Sequence, residues 1–101
     1  MQLTLSDPSL LKNQAYIDGQ WVDADNGATF NVTNPANGEL ITAVAKAGTA
    51  ETNRAVAAAS AAMAQWARQP AKARAGILRK WFDLMMQNQE DLAILMTAEQ
   101  G

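Results

Sequence analysis

The spacing of apolar positions changes character once along this chain, near Gly48. Before that point apolar residues fall in short runs divided by turn residues. After it they recur at intervals of three and four. The first runs are Ala15-Tyr16-Ile17 and Gln20-Trp21-Val22, with Asp18-Gly19 between them. An Asp-Gly pair between β-prone runs predicts a hairpin, because a type I′ turn needs positive φ at both central residues. Asp23 to Gly27 reads as a loop. Phe30 to Thr33 predicts a strand, Asn34-Pro35-Ala36-Asn37-Gly38 a tight reversal, and Glu39 to Ala45 a returning strand. Pro35 fixes φ there, and Asn37-Gly38 supplies a left-handed position. The first half is expected to form a small antiparallel sheet.

From Gly48 onward the period is helical. Thr49 is the expected N-cap, with Glu51 in the first turn where the helix dipole favours an acid. Val56, Ala59, Met63 and Trp66 then mark one apolar face over about 50–67. Pro70 suits the first turn of a second helix over 71–87. Its residues Ile77, Leu78, Trp81, Phe82 and Met85 form a stripe expected to be buried. Asn88 is the expected cap of a third helix over 89–100, with Asp91 completing an imperfect capping box. Gly101 stands where a C-terminal glycine would. The predicted fold class is α+β: a small antiparallel β-sheet (hairpin plus returning strand pair) followed by three α-helices. The expected organisation is an N-terminal arm over 1–13, an antiparallel β region over 14–47 and a helical region over 48–101.

Composition narrows the function classes. Of 101 residues, 49% are hydrophobic and 18% charged, the balance of a globular chain. Ten acids against eight bases give a net charge of −2, which argues against a nucleic-acid partner. No apolar run approaches the roughly 20 residues of a membrane span. The N-terminus lacks a signal-peptide core, so the cytoplasm is the expected location.

The chain contains no cysteine and no histidine, so the usual acyl-transfer and zinc constellations cannot be built. Ser6, Ser9 and Ser60 have no histidine to activate them, and no Gly-x-Gly-x-x-Gly loop is present. Asp23-Ala24-Asp25-Asn26-Gly27 is close to a calcium loop, but the glycine comes one residue early. The position of the bidentate glutamate falls on Asn34. Asn31-Val32-Thr33 matches a glycosylation sequon, read as accidental without a signal peptide. Five of the eight bases lie between Arg68 and Lys80. Lys72, Arg79 and Asp83 are read as a solvated helix face. Arg74 instead falls on the apolar seam, where it is expected to be largely buried and paired. Trp21, Trp66 and Trp81 are expected to be core anchors rather than a stacking surface.

Several ordered segments carry a family resemblance. These are Y-I-D-G-Q-W at 16–21, F-N-V-T-N-P-A-N-G-E-L-I at 30–41, and the alanine-rich stretch from Thr49 to Trp66. A-R-A-G-I-L-R-K-W-F-D-L-M at 73–85 and T-A-E-Q-G at 97–101 complete the series. In order and spacing they resemble the N-terminus of the NAD(P)-dependent aldehyde dehydrogenases. The run W-F-D-L-M-M-Q-N-Q-E-D-L-A at 81–93, with Glu99-Gln100-Gly101, looks most like the succinate-semialdehyde dehydrogenase branch.

The resemblance implies a homo-oligomeric parent of α/β aldehyde dehydrogenase fold, oxidising succinic semialdehyde to succinate. In that family a cysteine thiolate attacks the aldehyde, hydride passes to NAD or NADP, and a glutamate activates water to release the thioester. All those roles lie beyond Gly101, so no catalytic or cofactor-binding residue carries over, and the fragment alone is expected to be inactive and to bind no cofactor. Its implied partner is the remainder of the dehydrogenase chain. Many members hold a structural cation partly through carbonyls before the Asn-Pro corner, here those of Val32 and Thr33. The family also packs these helices against its nucleotide-binding sheet, so an apolar face should stand uncovered in this piece. The alternative is a freestanding, non-catalytic helical interaction domain, which requires a polar outer face around all three helices.

Overall fold

The Asp18-Gly19 turn forms as its composition predicts. In the computed structural model, which describes residues 3–101, Asp18 has φ 51° and Gly19 φ 76°. The turn joins β1 (Ala15–Ile17) to β2 (Gln20–Val22) with Tyr16 opposite Trp21. Their rings lie 4.9 Å apart at a tilt of 52°, and the Lys12 ammonium sits 4.8 Å from the Trp21 ring centroid, so a tilted cross-strand aromatic pair and a cation–π contact support the short ladder.

The second pair is β3 (Thr29–Thr33) and β4 (Leu40–Ala45). Val32 faces Thr42 but Thr33 faces Leu40, which leaves Ile41 as an extra residue at a bulge. The intervening corner closes by side-chain mimicry of turns. Asn34 Oδ1 accepts from the Ala36 N–H and Asn37 Oδ1 from the Glu39 N–H, both at 2.9 Å. Gly38 takes the left-handed position with φ 74°.

The two hairpins are separate two-stranded sheets and not one sheet. The loop after β2 turns the chain away, and the ladders touch through the Ala45 N–H donating to the Asn13 carbonyl at 2.9 Å.

Three helices follow: α1 (Thr49–Arg68), α2 (Ala71–Gln87) and α3 (Gln89–Gln100). Their caps differ from the sequence reading in three places. Gly48, not Thr49, is the N-cap of α1, because Glu51 reaches back to accept its N–H at 3.1 Å. Pro70 stands at the cap of α2 rather than inside its first turn, with ψ 150° and its carbonyl accepting from the Arg74 N–H. Asn88 stands at both boundaries, C-cap of α2 and N-cap of α3, but its side chain does not cap α3: the amide donates back to the Leu84 carbonyl at 2.8 Å. Asp91 is thereby left without its capping-box role and turns elsewhere.

Almost nothing is fully buried. Among the described residues the buried set is Ala24, Glu51 and Asp91. The stripe Ile77, Leu78, Trp81, Phe82 and Met85 is exposed, with Trp81 at 61%, contrary to the expectation of burial. Val56 and Met63 are exposed as well, and Trp66 is 37% accessible. The three tryptophans are therefore not core anchors within these residues. The reason is shape. The chain spreads over 47 × 35 × 19 Å with a radius of gyration of 16.5 Å, against about 13 Å for a compact chain of this length. What α1 does pack is its small-residue side, where Ala55, Ala58, Ala59 and Ala62 face Tyr16 to Gly19 of the first hairpin.

Candidate functional site

Two buried carboxylates organise the chain. Glu51, 6% accessible, stands in the first turn of α1. It accepts from the Gly48 N–H at 3.1 Å and the Asp25 N–H at 3.3 Å. One helical turn on, Arg54 grips the Asp25 carboxylate with both terminal nitrogens, at 2.9 and 2.7 Å, the bidentate geometry that suits a guanidinium. The loop before β3 is thus clamped onto the start of α1.

The charges respond accordingly. The Gly48 N–H, then Glu51's own N–H, hold the Glu51 carboxyl below its ordinary value, against burial and the nearby Asp25 charge. Asp25 is held low by Arg54, whose own affinity for its proton rises in turn.

Asp91, 5% accessible, faces the other way. It accepts from the Ser6 and Asp7 backbone N–H groups, both at 2.9 Å, and so fastens the N-terminal arm to the first turn of α3. The arm itself makes one 3-10 turn over Pro8–Leu10, capped by Asp7 through the Ser9 N–H and hydroxyl. Those two donors, the hydroxyl first, hold the Asp7 carboxyl low. Beneath the arm lies a cleft of about 840 Å³, bounded by Leu3, Leu11, Leu40, Ile41 and Ile94.

The other residues singled out by sequence divide. Arg79 and Asp83 pair at 3.5 Å and Arg79 lies over Phe82, as a solvated helix face requires. Arg74 is half-buried, but the expected pairing is not formed: its Nε is enclosed and has no hydrogen-bond partner. Asp23 accepts from the Gln14 amide and Asp25 is taken by Arg54, so the acidic loop spends its carboxylates on protein donors. Val32 and Thr33 lie in β3 beside the bulge. Two carbonyls fall well short of the six or more oxygens a hard cation needs. Among the described residues no group of three acidic, histidine or cysteine side chains could complete the set, so the residues present do not by themselves fit a cation.

The contacts of Glu51 and Asp91 reach back 26 and 85 residues. Neither had a local signal beyond the preference for an acid near a helix start. No helix among the described residues is long and apolar enough to cross a membrane. The freestanding-domain alternative needs a polar outer face on every helix, and the exposed stripe of α2 denies it one.

Residues 21–101 match the aldehyde dehydrogenase family. A glutarate-semialdehyde dehydrogenase of Pseudomonas aeruginosa is 58% identical over 99 residues, 98% of this chain and 20% of that protein. The NADP(+) succinate-semialdehyde dehydrogenase GabD of Escherichia coli K12 is 52% identical, again over 98% of this chain and 20% of its own length. The crystal structure of succinate-semialdehyde dehydrogenase from Burkholderia pseudomallei superimposes with a TM-score of 0.93 at 55% identity, covering 97% of this chain and 20% of that one. This chain spans about a fifth of the length of these relatives.

Proposed function

The chain belongs to the aldehyde dehydrogenase family, and from that premise we propose that it is the N-terminal scaffold of a semialdehyde dehydrogenase. The observation that carries this reading is near-complete coverage of this chain, at 52 and 58% identity, by two enzymes named for semialdehydes. In this reading the arm (1–13), β region (14–47) and helical region (48–101) form the first part of the cofactor domain. The whole polypeptide oxidises succinic semialdehyde to succinate through a cysteine thioester, in a cytoplasmic homo-oligomer.

NAD or NADP, when bound, accepts the hydride. The residues present do not fit a dinucleotide. The start of α1 already carries the Glu51 carboxylate on its cap N–H, and the start of α3 carries Glu90 and Asp91. Those two helix ends are therefore filled by the chain's own negative charge, and the third, at α2, has no acid in its first turn but is preceded by Arg68-Gln69-Pro70 and not by a glycine-rich phosphate loop. What these residues do is brace: Glu51 and Arg54 fix the loop before β3 to the start of α1, and Asp91 fixes the arm to the start of α3.

Succinic and glutaric semialdehydes differ by one methylene, which separates substrates by about 1–3 kcal/mol in a pocket. Expressing the complete coding sequence around these residues and following nicotinamide reduction with each aldehyde tests the reading. Turnover is expected with both and faster with succinic semialdehyde. A folded, full-length protein that turns over neither would overturn it.

A further inference from the structure

Among the described residues, Arg74 is the one side chain that encloses a polar atom without giving it a hydrogen-bond partner. It lies on the same face of α2 as Leu78, Trp81 and Met85, four, seven and eleven residues on, all of them exposed. Its Nε is sealed from solvent without a hydrogen-bond partner. No ion pair is made by its guanidinium among the described residues. A guanidinium keeps its proton at any accessible pH, and covering it with apolar surface while unpaired would be strongly unfavourable.

The surroundings add to the demand. From Arg68 to Lys80 there are five bases and no acid, and the next acid, Asp83, is already paired with Arg79. The segment therefore projects positive potential around an apolar stripe, and complementarity calls for a negative partner. The relatives are about five times longer than this chain, so polypeptide beyond Gly101 is the available source.

We propose that a glutamate or aspartate from beyond Gly101 docks on Arg74, accepting from its Nε and a terminal nitrogen, at the edge of an apolar seam that covers Leu78, Trp81 and Met85. This rests on the reading of the chain as part of a longer dehydrogenase, and fixes one contact by which the rest engages it.

The test uses the complete polypeptide. Arg74→Glu should shorten the half-life of thermal inactivation at least tenfold, while Lys72→Glu on the solvated face leaves it within about twofold, as surface changes do. Reversing one acid beyond Gly101 to arginine in the Arg74→Glu background should restore the half-life. Failure of every such reversal overturns the proposal. Should Arg74→Glu give no soluble protein, a crystal structure of the unaltered polypeptide decides: a carboxylate from beyond Gly101 on the guanidinium supports it, and only water or backbone carbonyls there overturns it. Active enzyme with Arg74 unpaired would sink this contact alone. Arg74 paired in a polypeptide that oxidises no semialdehyde would sink the functional reading alone.

Discussion

Glu51 sets how α1 responds to acid. Its folded-state pKa lies below the ordinary value of 4.5, chiefly through the Gly48 N–H. The stabilisation is therefore complete above that value and is lost as pH falls through the lowered folded one. Hydrogen exchange at the Gly48 and Asp25 amides should show it: protection steady near neutrality and collapsing in acid. Glu51→Gln should lower protection at neutral pH and flatten the profile, with residual slope from Asp25 and Asp7, which are also held low. Equal profiles for the two proteins would contradict the assignment. At the other end of the helical region, Gly101 has φ 84°. A Cβ there would meet Pro35 Cγ at 2.8 Å and the Ala36 nitrogen at 3.0 Å. Gly101→Ala combines left-handed strain with a clash against the Asn-Pro corner, and should cost about 1–3 kcal/mol, read as a lower melting temperature of the complete polypeptide.

Elements were legible where their determinants are local. The Asp-Gly turn, the Asn-Pro corner and the observed spans of α2 and α3 follow from turn chemistry and helical period within a few residues. Caps were less legible because the competing partners at Gly48 and Asn88 are themselves side-chain choices: Glu51 took one and Asn88 turned back to Leu84. Least legible was the arm's attachment, since nothing near Ser6 announces a carboxylate 85 residues away. Asp91→Ala removes both arm bonds while leaving α3 its own hydrogen bonds. A hydrogen bond to a charged group contributes about 2 kcal/mol, so loss of the two should make the open arm roughly a thousandfold more populated. Tryptic cleavage after Lys12 should accelerate by a similar factor, with α3 remaining helical. An unchanged cleavage rate would mean that the cleft contacts, not Asp91, hold the arm.

At the scale of the molecule, periodicity correctly located the apolar face of α2 but could not say what covers it. A hydrophobic stripe records that burial is needed, not who supplies it. The area makes the need quantitative. The chain exposes 7738 Å², whereas a compact chain of its mass exposes about 5,500 Å². The surplus, roughly 2,200 Å² on one partner, matches one side of a large obligate interface. Produced alone, the 101-residue chain should therefore bind a hydrophobic dye and self-associate, with a sedimentation coefficient that rises with concentration. Trp81→Lys with Phe82→Lys should weaken both signals together, because both draw on the same face. A compact monomer that leaves the dye dark would show that these helices repack to bury their own stripe. The exposed stripe of α2 would then cease to argue for a covering partner.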